Sequence, residues 1–242
     1  MEYPYELLPA TVESVYNNLI VDAKLDNGQT VSAFCGAVEI ADICLPRTPL
    51  FLKRTSRQKR LVKYNISFVR TPEGLVFANP KYNRTLFKEA FDKRRLAELS
   101  AYTECRPLSL EDNTNGLDFR LTNPEGKEAF DFVTSLYSKK DGCAVFPNDI
   151  NFFEMKMLEE MAKRRREGAE TYIFMIAPRE DCISAKFVWG LNPPAAAAMF
   201  DAAKNGLKFL CYGCKLSPMR FRLIEKWIFY MIKEKRDACP KK

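Results

Sequence analysis

The chain has 242 residues, 47% of them apolar, enough to build a packed core and to exclude general disorder. Lys and Arg number 38 against 31 Asp and Glu, a net charge of +7 that mildly favours a polyanionic partner. There is no histidine, which removes the usual general base, the Ser-His and Cys-His nucleophile pairs and the commonest zinc ligand, and leaves carboxylates, lysines and an oxygen-loving cation to carry any chemistry.

Glu2, Glu6 and Glu13 rule out a basic, apolar-cored secretion signal at the start of the sequence. No unbroken apolar run exceeds the length of Trp227 to Ile232, far too short for a membrane span. The expectation is a soluble, cytoplasmic protein. Alternation from Thr11 to Tyr16 and a run from Leu19 to Leu25 predict two strands, and Asp26-Asn27-Gly28 turns the chain into a third, Val31 to Cys35. Leu50 to Arg54 and Leu61 to Arg70 continue the series, and Pro72-Glu73-Gly74 leads into Leu75 to Ala78. Short strands in this density predict a small barrel of the OB type over residues 1–80.

After Asn79-Pro80 the period changes, and Tyr82 to Leu99 reads as a helix opening a second part, residues 81–242. Strands are expected at Gly116 to Thr122 and Glu128 to Ser135 around the turn Asn123-Pro-Glu-Gly126, then at Cys143 to Phe146. Asp149 caps a helix to about Glu167, Thr171 to Ala177 is a buried strand, Pro193 to Asn205 a helix, and Leu207 to Leu216 a strand. Pro218 to Asp237 reads as an amphipathic helix carrying Phe221, Ile224, Trp227, Ile228, Met231 and Ile232. Its apolar face either packs on its own domain or forms a docking surface for a second copy, a protein partner or a membrane. The eight cysteines read as reduced and structural; Cys211-Tyr-Gly-Cys214 is the close pair, without the second half a zinc site would need.

Asp118 and Asp131 fall on successive strands across a turn. Two carboxylates brought together in this way can share a Mg²⁺ that polarises a phosphate and activates a water. The alternative is a pair of strand-end carboxylates without a metal.

Gly116-Leu-Asp-Phe, Phe130-Asp-Phe-Val and Phe146-Pro147-Asn148-Asp149, in this order behind a barrel, resemble the sugar fermentation stimulation protein A family. The resemblance runs from Pro9 to about Ser217 and implies an OB-like β barrel followed by an α/β restriction-endonuclease-like domain. It implies that Asp118 corresponds to the family's metal-binding aspartate and that Asp131 stands where the family has glutamate. Val133 replaces the catalytic lysine, and Lys156, followed by Met157 and Leu158, falls where the family has a helical Lys-His-Leu. Cys35 fits the family's His-Cys, whereas Gly36-Ala37-Val38-Glu39 departs from the Asn-Thr-Gly region. Losing a preorganised cation of this kind costs roughly 10²–10³ in rate. The implied function is nucleic-acid binding with a degenerate nuclease site and Mg²⁺ or Mn²⁺, if any, at a weakened Asp118–Asp131 site. The alternatives are an active metal-dependent nuclease with catalytic Asp118, Asp131 and a relocated Lys156 (or Lys139 or Lys140), and a regulatory module docking through the C-terminal helix.

Lys53, Arg54, Arg57, Lys59 and Arg60 crowd one loop between barrel strands, with Phe51, Tyr64 and Phe68 on either side. Cations that follow a phosphate backbone and aromatics that stack on bases are the means by which OB barrels hold DNA or RNA strands. The bland alternative is a solvated loop. The run Lys163 to Arg166 reads as helix capping.

Overall fold

The structure, a computed structural model, describes residues 2–3, 5–16, 19–55, 61–112, 114–146, 152–188, 193–218 and 220–230. Strands β1 (Leu8–Tyr16), β2 (Ile20–Leu25) and β3 (Thr30–Phe34) form an antiparallel meander, with the Leu25–Gln29 turn closed by Gly28 at φ +85°. A single-turn helix α1 (Val38–Ala41) leads to β4 (Pro49–Arg54) and β5 (Tyr64–Thr71), and β6 (Gly74–Phe77) adds to the edge of β5. Parallel pairing of β3 with β5, through Ala33↔Tyr64 and Phe34↔Asn65, closes the five strands into a barrel. Val12, Val21, Ala33, Leu50, Leu52 and Ile66 alternate inward and fill it.

Helix α2 (Asn83–Asp92) follows. It is shorter than the pattern to Leu99 suggests, because Arg94 adopts φ +54°. The Arg94 and Arg95 N–H groups then donate to the Phe91 and Ala90 carbonyls, a Schellman closure made without glycine. Next come β7 (Glu104–Pro107), β8 (Phe119–Thr122), β9 (Glu128–Ser135), β10 (Lys139–Lys140), β11 (Cys143–Phe146), α3 (Phe152–Arg166), β12 (Glu170–Ala177), β13 (Ala185–Phe187), α4 (Pro193–Lys204), β14 (Lys208–Ser217), β15 (Arg220–Trp227) and β16 (Phe229–Tyr230). Six of these strands make one mixed sheet in the order β15-β14-β12-β9-β8-β7, parallel in its β9-β12-β14 centre, and β10-β11-β13-β16 make a small second sheet. Leu86, Phe87, Ala90 and Phe91 of α2 cover one face of the large sheet; Met157, Leu158 and Met161 of α3 and Ala196 and Met199 of α4 cover the other.

The expected helix from Pro218 is instead strand β15, antiparallel to β14. Phe221 and Leu223 are buried while Arg222 and Ile224 are exposed, so the residues follow a period of two where β14 offers an unpaired edge. A helix-borne docking face is therefore lost over residues 220–230; its remainder, like Asp149 and the Pro147-Asn148 motif, lies outside the described residues.

Barrel and second part share a core. Tyr3, Phe68 and Phe77 pack with Phe221 and with α2. The segment after β12 runs along β6: Phe77 N–H donates to the Pro178 carbonyl (2.8 Å), and Glu180 accepts Leu75 N–H on one oxygen (3.1 Å) and Leu216 N–H on the other (3.0 Å). Among the described residues, no helix is long and apolar enough to cross a membrane.

Candidate functional site

Asp118 emerges from a turn at Asn115 and Gly116, both at positive φ (50° and 92°), immediately before β8. Its N–H donates to the Asp131 carbonyl at 2.8 Å, so the register of β8 on β9 sets the two acids side by side. The Asp118 carboxylate accepts the Val133 N–H at 2.7 Å on one oxygen, and its other oxygen lies 3.3 Å from Nε of Arg84 on α2. The same guanidinium donates through Nη2 to the carbonyls of Leu108 (2.7 Å) and Asp118 (3.0 Å).

Asp131 is 0% exposed, and no hydrogen bond of good geometry reaches either of its oxygens, the Phe119 N–H favouring its charged form only weakly. Burial above all, and then the charge of Asp118, push its pKa well above the carboxylate range. Burial also raises Asp118, against the Val133 N–H and Arg84, which stabilise its charged form. Two carboxylates in one low-dielectric pocket with a single cation favour a state carrying one negative charge.

Val133 shares the strand face of Asp131, and its side chain is sealed among apolar residues that include Phe119 and Phe174. Lys156 is exposed on α3, whose buried residues pack on the opposite face of the sheet, with Phe130 and Ile173. Lys139 is engaged by Glu73 and, at 3.4 Å, by Asp181, beside a cleft of about 980 Å³ between the barrel and the second part. The buried cation of that cleft, Arg179, is matched by Asp181 at 2.6 Å.

Among the described residues, no group of three or more Asp, Glu or Cys side chains gathers into a ligand set. Mg²⁺ can be held by two carboxylates and water, but its ligands must be open to it. Here Asp118 is occupied by Arg84 and the Val133 N–H, and Asp131 is enclosed. In this arrangement the residues do not fit a divalent ion. Cys211 and Cys214 point into different cores on either side of the sheet and do not form a dithiol site.

At the barrel mouth, Lys53 Nζ lies 2.9 Å above the ring of Tyr5, and Arg54 faces Tyr64 across β4 and β5. A cleft of about 250 Å³ beside them is lined by Phe34, Lys53, Asn65, Lys81 and Tyr82. Phe34 and Tyr5 are 38% and 43% exposed, large rings left in solvent beside cations. Hydrogen bonds from Tyr82 and Lys53 lower the Tyr5 pKa. Arg57, Lys59 and Arg60 lie outside the described residues. The run at the end of α3 serves the fold: Arg164 pairs with Glu160 (2.7 Å) and covers the Phe130 ring, and Arg165 donates to Thr171 (2.7 Å).

A family model described as the sugar fermentation stimulation protein RE domain matches residues 81–220, a stretch that holds Asp118, Asp131, Val133 and Lys156. The chain belongs to the sugar fermentation stimulation protein family. Homologues of that name are similar over most of the chain: 26% identity in Maricaulis maris, covering 90% of this chain and 94% of that one, and 28% in Jannaschia sp., covering 90% and 92%. The fold is similar to that of Pyrococcus furiosus SfsA in complex with Ca²⁺, at a TM-score of 0.79 and 17% identity, over 95% of this chain and 97% of that one. The architecture of the family, an OB-like barrel followed by an α/β endonuclease-like domain, is thus the architecture of this chain. Arg84 is the site residue that sequence reasoning missed. It lies 34 positions from Asp118 on another element, and nothing in its local pattern distinguishes it from a surface cation at a helix start.

Proposed function

We propose that this chain is a nucleic-acid-binding protein of the sugar fermentation stimulation family whose nuclease site has decayed. The observation that carries the binding half is the barrel mouth. There Lys53 and Lys81 stand beside Tyr5, Phe34 and Tyr82, with Arg54 and Tyr64 on the adjoining strands. Rings in solvent supply stacking surfaces for bases, and the cations supply phosphate contacts. The decay follows from Val133, which can neither orient a water nor offset charge on a phosphorane-like transition state. Asp118 would be a remnant ligand neutralised by Arg84.

The test is fluorescence anisotropy of labelled single- and double-stranded DNA and RNA, from about 50 to 200 mM salt. Affinity should fall log-linearly with salt, by one to several powers of ten, as phosphate-bound counterions are released. Undetectable or salt-independent binding overturns the proposal.

A second function, metal-dependent cleavage at Asp118 and Asp131, would require Arg84 to move aside and a cation other than Lys156, which lies on the opposite face of the sheet; what favours it is that the unpartnered oxygens of Asp131 would be satisfied by a metal ion. The Pyrococcus furiosus protein, for its part, is a complex with Ca²⁺. Incubating the same oligonucleotides in Mg²⁺ and in Mn²⁺, beside Asp118→Ala, separates the two. Cutting that disappears in Asp118→Ala supports the nuclease; retention on a gel without cutting supports the binding protein.

A further inference from the structure

The Asp118–Asp131 pair has a feature that a stripped nuclease site does not require. A guanidinium is held against it by several contacts at once. Arg84 Nε lies 3.3 Å from the Asp118 carboxylate, while Nη2 is fixed by the carbonyls of Leu108 (2.7 Å) and of Asp118 itself (3.0 Å). The central carbon of the guanidinium also lies over the Phe119 ring, 5.3 Å from its centroid, and Phe119 is the residue paired with Asp131 across the strands. The charge of Arg84 acts on both acids.

From this geometry we infer that Arg84 is a built-in counter-cation that takes the place of a divalent metal beside Asp118 and Asp131 and keeps the site closed to metals. The inference rests on reading Asp118 and Asp131 as the remnant of a metal site, and it is independent of whether the barrel binds nucleic acid. A positive charge so close to the carboxylates repels a second cation, and the Asp118 oxygen that Arg84 engages is withdrawn from coordination. Arg84 also stands between Asp118 and solvent. Its side chain is 46% exposed and lines an open groove of about 570 Å³ along α2, shared with Lys88, Glu89, Asp92, Lys93 and Pro107. Removing the arginine therefore opens a path to Asp118 from solvent without unpacking the sheet.

The experiment is titration of the full chain with Mn²⁺ alone, followed by isothermal calorimetry, for the unmodified protein, Arg84→Ala and Arg84→Gln. Folding of each is checked by circular dichroism. Glutamine removes the charge but keeps an amide able to donate to the Leu108 carbonyl, so it serves if alanine unfolds the helix entry. The expected result is Mn²⁺ binding at least tenfold tighter in the neutral variants than in the parent, a gain that vanishes when Asp118→Ala is added. Equal Mn²⁺ affinity in parent and folded variants overturns the inference, as does a gain that survives Asp118→Ala. Failure of the parent to bind any oligonucleotide would instead sink the nucleic-acid proposal and leave this one standing.

Discussion

Replacing Asp131 by asparagine should stabilise the protein, and the gain should depend on pH in a defined sense. Asp131 has no solvent contact and no hydrogen bond of good geometry to either oxygen, and the Arg84 charge and the Phe119 N–H do not offset its burial. Its folded pKa is raised well above the unfolded value, first by burial and then by Asp118. Below the unfolded pKa of about 3.9 both states hold the proton and the group contributes nothing to pH dependence. Above it the unfolded chain gives up the proton while the folded chain keeps it, so stability falls by up to about 1.4 kcal/mol per pH unit until the folded pKa is passed. Asparagine is close in shape to the protonated acid, leaves a comparable neutral polar group buried, and cannot ionise. The two proteins should be nearly equally stable near pH 4, and Asp131→Asn more stable by about 1–3 kcal/mol at pH 8. For a chain of this size that is about 2–4 °C in Tm for each kcal/mol. Urea unfolding followed by circular dichroism at unit steps from pH 4 to pH 8 measures it. An Asp131→Asn protein less stable than the parent at pH 8, or a difference that does not grow with pH, would falsify the account of a buried, unpartnered carboxyl.

Val133→Lys should be tolerated better in the parent than in Asp131→Asn, by at least about 1 kcal/mol in a double-mutant cycle, because a lysine there is paired only if the acid remains. Lys53→Ala and Tyr64→Ala should each weaken oligonucleotide binding by about threefold to tenfold in anisotropy titrations, and Lys53→Ala should also reduce the salt slope by about one. Glu170 accepts from Tyr102 and Tyr172 and pairs with Lys208 at 2.8 Å; these partners outweigh burial and bring its pKa down to about 2. Its stabilising contribution is thus complete above the unfolded pKa of about 4.3 and is lost as pH falls towards 2. Glu170→Gln should cost about 1 kcal/mol at pH 7 after solvent screening and nothing near pH 2, read from acid-unfolding curves. Gly213 lies against the Trp227 indole with no room for a Cβ, so Gly213→Ala should cost about 1–3 kcal/mol in urea and shift the tryptophan emission.

The first barrel strands were legible in the sequence because they alternate, as from Thr11 to Tyr16, and are joined by a turn, Asp26-Asn27-Gly28, whereas β5 and β6 were legible as apolar runs around Pro72-Glu73-Gly74. The central strands β9 and β12 were legible from their apolar runs. Misreading began where a pattern fits two periods. Phe221, Ile224, Trp227 and Ile228 satisfy a helical spacing, yet Phe221 and Leu223 satisfy a strand spacing equally well, and the free edge of β14 decided between them. The end of α2 was hidden because an arginine, not a glycine, takes the left-handed position. At the site, Asp118 and Asp131 could be named from their strands, but the burial of Asp131 and the arrival of Arg84 depend on how α2 lies across the sheet, which no local spacing records.

Glu180 receives one backbone N–H from the barrel and one from β14, on separate oxygens of a single carboxylate. Heat or urea should consequently melt barrel and sheet in one transition, with no stage at which either persists alone. It also sets the seams for exchange between relatives. A hybrid joining this barrel to another member's second part could not be cut at Asn79 alone, since the strip from Pro178 to Glu180 that borders β6 belongs to the barrel's surroundings and would have to travel with it.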